Sequence, residues 1–302
     1  ERKIDNKQGV YALKGNNYNR RRLVITSNVV NIEFNKQTGF MVRYDVNGQP
    51  MLKNDGAITP NFWRASTDND MGANLNVKLK VWQNPTLKLT DFSVNEKDGV
   101  AYVTAKYDMP EVSATLVVDY AVNGDGVVTL HQAMKASKDA KVPMMVRFGV
   151  QVQMPENLDY SEFYGRGPIE NYPDRNNSTF LGVYRQTADE QAYPYIRPQE
   201  TGTKTDMRWW KQTTRGGRGL MVESNHPFLA SALHYSVESL HEGDVKIQRH
   251  FPEVEPVDYT NLLIDSCMMG LGCIDSWGAI PYKEYRLPYA DRELSIRLTP
   301  VK

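Results

Sequence analysis

The 302 residues predict an all-β protein, a large antiparallel β sandwich. Three observations carry that prediction. Short apolar or alternating segments recur along the whole chain, each closed by turn chemistry. Two of the closures, Asn47-Gly48 and Asn123-Gly124-Asp125-Gly126, are the strongest kind of short hairpin signal, because these residues accept the positive φ that hairpin turns require. No segment keeps a helical apolar period through three turns, so helices do not separate the strands. The length suits one large β domain or two ordinary ones, and no linker composition marks a boundary near 150–160. One continuous sandwich is the expectation.

Taken in order, residues 1–22 are polar, carry the cluster Arg20-Arg21-Arg22, and read as a linker or tail from a preceding domain. The domain proper spans 23–302. Val29–Phe34 runs into Gln37-Thr38-Gly39, and Phe40–Val46 follows before the first Asn-Gly turn. Leu75–Gln83 reads as one short helix with Leu75, Leu79 and Trp82 on one side. Val100–Tyr107 alternates, placing Ala101, Val103, Ala105 and Tyr107 on one face. Thr115–Val122 and Val127–Gln132 flank the second hairpin turn. Val142–Gln153 reads as a strand with Pro143 near its start, where a missing amide is tolerated. Further strands are expected at Leu181–Arg185, Thr205–Trp210, Gly219–Glu223, Leu229–Tyr235, Asn261–Met268 and Glu293–Leu298, with a turn at His226-Pro227.

Charge balances at 36 basic against 36 acidic residues, which leaves no electrostatic footprint for nucleic acid or an anionic membrane surface. No apolar run approaches membrane-spanning length, and the N-terminus has no signal-like core. The chain starts Glu-Arg-Lys and reads as a piece of something longer, which leaves the compartment open between cytoplasm and periplasm. Cys267 and Cys273 fit no zinc or redox spacing; they are free thiols or, alternatively, a local disulfide. His226, His234, His241 and His250 share one stretch without a metal-binding spacing, so no metal site is assigned.

Four stretches concentrate polar and aromatic chemistry. Asn61–Gly72, NFWRASTDNDMG, has neither helical nor strand periodicity. Its clustered carboxylates need a cation or hydrogen-bond donors to hold them, or they cap their own turns. Phe163–Arg175, FYGRGPIENYPDR, reads as a turn-rich loop whose arginines clamp it through Glu170 and Asp174. In Tyr193–Trp210, aromatic and planar polar side chains stand together. Glu200, Arg208 and Trp209 either face a sugar or simply pack on strands. Gly270–Pro281, GLGCIDSWGAIP, places Trp277 in a glycine-rich loop with no evident core role, which favours a contact function.

These motifs, in this order, resemble the C-terminal domain of glycoside hydrolase family 2 β-galactosidases, the small-chain region, over roughly residues 23–302. LVITSNVVNIEFNKQTGF is similar to the opening strands of that domain. The resemblance implies a β-supersandwich of the galactose mutarotase type, closing a long multidomain enzyme or forming the small subunit of a two-chain one. It implies retaining hydrolysis of terminal β-D-galactosides such as lactose by two glutamates on an upstream (β/α)8 barrel, so no catalytic residue is expected here. Magnesium and sodium would be bound mainly elsewhere. Partners would be the upstream barrel and sandwich domains, the galactoside and further copies in a homo-oligomer. Trp277 would form a sugar-stacking platform at the mouth of the site, and the segment of Asp68, Asn69, Asp70 and Gly72 the base of a mobile loop continuing through Ala73. Ser66 stands where relatives commonly have proline. Two other classes remain open: a free-standing carbohydrate-binding module using a Trp209–Trp210 face, and an aldose epimerase pairing Glu200 with one of the four histidines.

Overall fold

The computed structural model describes residues 2–18, 20–275 and 277–302. Glu1 and Asn19, within the expected tail, and Ser276, within the CIDSWG motif, lie outside them. Strand pairing among the described residues is antiparallel throughout, as the all-β reading requires. One meander runs Lys88–Lys97, Val100–Met109, Ala114–Asn123, Val128–Ala136 and then the last strand, Arg292–Val301. A second runs Arg22–Thr26, Val30–Asn35 and Met41–Val46, and continues through Ile58–Asn61 to Arg147–Pro155 and Tyr259–Met268.

The two systems meet on one strand, Gly219–Leu233. Its first half, to Ser224, pairs with Arg292–Val301, and its second half, from Leu229, pairs with Tyr259–Met268. The expected turn at His226-Pro227 is therefore not a turn. The chain stays extended there, and Pro227, with no amide to give to a ladder, sits where the strand changes partners. Lys204–Thr213 lines the same strand on its other side and carries Tyr160–Gly167 and Phe180–Thr187 outward.

Four further departures have physical causes. Lys88–Lys97 is a strand that pattern reading passes over: it is largely exposed, and a bulge between Leu89 and Asp91 breaks its alternation. Tyr160–Gly167 is strand rather than loop. Gly165 and Gly167 serve close packing, since a Cβ at Gly165 would lie 2.0 Å from Met207 and one at Gly167 2.9 Å from Tyr184. Leu75–Gln83 divides into a helical turn, Leu75–Lys78, and a 3₁₀ turn, Lys80–Trp82, although Leu75, Leu79 and Trp82 are all buried as their spacing demands. The Val142–Gln153 strand begins only at Arg147.

The N-terminal segment packs along this body. Asn6 donates to the carbonyls of Ala121 and Val127, Asp125 accepts from the amides of Val10 and Tyr11, and Gly15–Tyr18 pairs with the Leu23–Thr26 backbone. One continuous core joins both systems, from Leu23 and Phe34 through Trp82 and Phe148 to Trp210 and Leu298. Phe148 lies on a strand shared by both neighbours of that core and is fully buried. Phe148→Ala is expected to lower the unfolding free energy by about 3–5 kcal/mol in a denaturant titration, the usual cost of an aromatic cavity; a change under about 1 kcal/mol would contradict the packing described.

Candidate functional site

The Asn61–Gly72 stretch leaves the strand at Asn61, runs extended, and closes in a short helix, Asp68–Gly72. The helix has a local cause. Thr67 caps it, its hydroxyl accepting from the Asp70 amide at 3.1 Å while Asp70 Oδ2 accepts from the Thr67 amide at 3.0 Å. The reading of this stretch as irregular throughout is corrected to that extent. One helical turn is too short to show an apolar period.

Asp70 is buried and its oxygens are occupied. The Arg64 guanidinium, 1% exposed, donates from Nε to Asp70 Oδ2 at 3.0 Å and from Nη2 to Oδ1 at 2.8 Å. The remaining Arg64 donors reach the carbonyls of Met269 and Gly270. Burial disfavours the Arg64 charge, but Asp70 more than restores it. Asp70 thus braces the start of the helix against Arg64. Asp68 is different: half-exposed, it accepts from Arg197 Nε at 2.7 Å and Gln199 Nε2 at 3.1 Å. Burial alone would raise its pKa, yet these donors hold it below the usual carboxylate value.

Asn69 joins the helix to the loop carrying Trp277. Its Nδ2 lies within donating distance of the carbonyls of Gly272 (2.6 Å), Asp275 (2.9 Å) and Leu271 (3.2 Å), and its Oδ1 accepts from the Gly278 amide at 3.2 Å. Asp275 Oδ1 accepts from the Trp277 and Ala279 amides, which lowers the Asp275 pKa. Asp174, expected to clamp its own loop, instead accepts from the amides of Leu271 and Gly272 at 2.9 and 2.8 Å. Arg175 and Glu170 do form the expected pair, at 2.9 Å. At Gly72 the helix touches the loop: a Cβ would sit 2.5 Å from the Trp277 carbonyl oxygen. Gly278 faces it with φ +126, a conformation glycine alone adopts readily. The loop backbone is pinned, while the Trp277 side chain is left 79% exposed.

Between these elements lies a cavity of about 330 Å³, lined among others by Asp68, Asn69, Arg175, Tyr195, Glu200 and Asp275. Sequence reading anticipated Asp68, Asn69 and Glu200. It did not single out Arg197 or Gln199 and gave Asp174 the wrong partner, because these roles depend on residues far along the chain. Glu200 reaches the wall, but its carboxylate is held by Tyr172 (3.2 Å), Thr203 (2.7 Å) and the nearby Arg147 (3.7 Å). Arg147 is fully buried and pairs at 3.0 and 2.8 Å with Asp265. Arg208 and Trp209 do not line this cavity. Arg208 donates to the Asp206 carbonyl, and Trp209 stands edge-on to Tyr164 with Lys211 5.3 Å above its ring. Trp210 is buried and stacked on Phe163 at 4.5 Å, so a Trp209–Trp210 face does not exist. Both cysteines are free thiols. Among the described residues no three His, Cys, Asp or Glu side chains converge on a metal-sized site.

Comparison with known proteins bears on this geometry. The family model described as "Beta galactosidase small chain" matches residues 26–298. The β-galactosidase of Priestia megaterium is 30% identical over 283 residues, covering 93% of this chain and 26% of the relative. That of Lactobacillus delbrueckii subsp. bulgaricus is 32% identical over 290 residues, covering 95% and 26%. The chain thus spans about a quarter of the length of the curated relatives it matches. Among solved structures, a TPR-domain containing protein from Parabacteroides distasonis aligns with TM-score 0.50 at 11% identity over 93% of this chain and 47% of its own. A galactose 1-epimerase from Lactobacillus acidophilus aligns with TM-score 0.49 at 8% identity over 96% and 97%.

Two outcomes follow from the site. Asn69→Ala removes the cross-link between helix and loop, so amide hydrogen exchange across 271–279 is expected to accelerate, with a stability loss of about 1–3 kcal/mol; unchanged exchange would mean that the loop is held otherwise. His241 Nδ1 accepts from the Ser66 amide at 3.2 Å, and burial together with Arg197 lowers its pKa from the ordinary 6.5. The folded state therefore binds that proton less readily than the unfolded chain. This contribution to stability is present above pH 6.5 and is lost as pH falls from there through the lowered folded value. His241→Asn, which keeps an acceptor but cannot titrate, should flatten that part of the pH–stability curve measured by thermal melting.

Proposed function

Because the chain belongs to the β-galactosidase small-chain family, we propose that it is the non-catalytic C-terminal domain of a retaining, family 2 β-galactosidase and completes the mouth of the galactoside site. The observation that carries this reading is Trp277: a largely exposed indole on a loop whose backbone is fastened by Asn69, Asp275 and the Gly72 contact. A flat apolar face held still by its backbone suits stacking against the C–H face of a sugar at low entropic cost. The helix end at Gly72-Ala73 touches that loop, so motion of the segment beyond Gly72 is coupled to the platform.

The carboxylates argue for binding rather than catalysis. Retaining hydrolysis needs a nucleophile and an acid with a raised pKa, their carboxyl groups about 5 Å apart. Asp68 and Asp275 are instead lowered by donors, and Glu200 and Asp70 are held by buried arginines. The glutamate pair is assigned to an upstream barrel. The domains carrying it would supply the magnesium and sodium sites, the main partner surface and the oligomer contacts. The fraction of the relatives that this chain spans is consistent with that division.

The other two readings have weaker support. A binding module built on Trp209 and Trp210 would have only Trp209 to offer, since Trp210 is interior. An epimerase would need a histidine beside Glu200, whose hydrogen-bonding and ionic partners among the described residues are Tyr172, Thr203 and Arg147.

The purified chain is expected not to hydrolyse a chromogenic β-galactoside; turnover that persists after removal of contaminating full-length enzyme would sink the proposal. In the full-length enzyme, Trp277→Ala should raise KM roughly two- to twelve-fold, the loss of about 0.5–1.5 kcal/mol of aromatic contact. Unchanged KM and kcat would remove Trp277 from the site.

A further inference from the structure

The strand Phe180–Thr187 is an open edge of the sheet. It pairs with Tyr160–Gly167, whose other side is taken by Lys204–Thr213, and no further strand joins it among the described residues. The Ala188 amide donates to the Asp159 carbonyl at 2.8 Å. By the alternation of an antiparallel ladder, the amides and carbonyls of Leu181, Val183 and Arg185 therefore point outward. Edges of this kind are normally blunted by charge or by a bulge. Lys88–Lys97, another open edge, has both: a bulge after Leu89, and Lys88, Asp91, Glu96 and Lys97. Phe180–Thr187 has neither. Its one charge, Arg185, is paired with Glu162 at 2.6 Å, while Phe180, Val183 and Leu181 are 76%, 51% and 45% exposed.

The apolar surface continues across the sheet. Residues opposite one another in an antiparallel pair share a face. The pairing sets Val183, Tyr164, Trp209, Glu223 and Arg297 in one row over five strands. Tyr164 and Trp209 meet edge to face in that row, and Leu181 stands two residues from Val183 on the same side. Ion pairs flank this strip, Glu162 with Arg185 and Lys211 on one side and Arg166 with Asp206 on the other. An apolar strip within a polar rim has the anatomy of a protein interface. Arg2 indicates what covers it. At the far end of the row Glu223 accepts from Arg2 Nη2 at 2.7 Å, and the Arg2 amide donates to the Asn225 carbonyl at 3.0 Å. The N-terminal end of the chain is thus fastened to this face three strands from the open edge, roughly 15 Å at the usual strand spacing.

We propose that the edge strand and its apolar strip are the docking surface for the domain that precedes this one in the enzyme, an extended apolar segment of which pairs with Phe180–Thr187. The proposal rests on the function argued above, which puts that domain immediately upstream. The curated relatives, of which this chain spans 26%, have the length to supply it. Ladder bonds to the outward amides and carbonyls would give affinity, and the strip of Leu181, Val183, Tyr164 and Trp209 would set the register. About five extended residues cover the distance from Arg2 to the edge. A tether that short gives the preceding domain a local concentration that a second copy of this chain does not have.

The test compares amide hydrogen exchange in the full-length enzyme and in the 302-residue chain. Peptides across 181–185 should exchange at least about tenfold more slowly in the full-length enzyme. A photoreactive residue in place of Val183 should cross-link there to residues upstream of this domain. Leu181→Lys combined with Val183→Lys, at exposed positions, should leave the melting temperature of the 302-residue chain unchanged and abolish the protection in the full-length enzyme. Equal exchange in the two proteins overturns the proposal, as does protection that survives the double substitution. Cross-linking only to residues of this same domain also overturns it and identifies a second copy as the occupant. Galactoside turnover is read on the same full-length sample. Turnover with 181–185 unprotected fails the docking surface alone, while protection without turnover supports the surface and fails the functional reading alone.

Discussion

Two arginines with no access to water organise this protein. Arg64 and Arg147 must each find charge and hydrogen-bond partners inside the body, because a buried guanidinium left alone is far too costly. Arg64 closes on Asp70 and on the carbonyls of Met269 and Gly270; Arg147 closes on Asp265 and the carbonyl of Trp63, with Glu200 nearby. These contacts draw together the helix at 68–72, the start of the Arg147–Pro155 strand and the point where the chain leaves Tyr259–Met268. The loop with Trp277 begins at that same point. Removing one partner of such a pair typically costs about 3–5 kcal/mol, so the origin of the loop is firmly set.

The same constraint separates the carboxylates by task. Those facing the arginines are acceptors by necessity. Asp68 and Asp275, nearer the surface, are stabilised as anions by Arg197, Gln199 and backbone amides. Burial pushes the Asp265 carboxyl up to about 6 against the pull of Arg147, but both of its oxygens are taken by that guanidinium inside the core. Trp277 keeps a side chain that is 79% exposed on a loop whose backbone is held. Gly72 and Gly278 matter here as absences of a side chain: a Cβ on either would occupy the other's backbone.

Much of the strand content was legible because it is local. The alternation over Val100–Tyr107 put Ala101, Val103, Ala105 and Tyr107 inward, and all four are buried. Both Asn-Gly turns close hairpins. What escaped had a masking feature: a bulge in Lys88–Lys97, glycines that serve packing in Tyr160–Gly167, and a proline inside a strand that changes partners. In the site, one overlooked signal was present. Thr67 and Asp70 stand at capping-box spacing, with aspartate in place of the usual glutamate.

The sequence by itself determined an antiparallel β domain and its family, because hairpin turns, period-two alternation and ordered motifs are properties of neighbouring residues. Only the tertiary structure decided which polar residues are braces and which face open space. Asn69 finds its acceptors 202 to 206 residues away and Asp68 its arginine 129 residues away. No local pattern encodes such pairings; they exist because the folded strands bring the Asn61–Gly72 stretch and the Trp277 loop together, and hydrogen-bond chemistry then fills every buried donor it can.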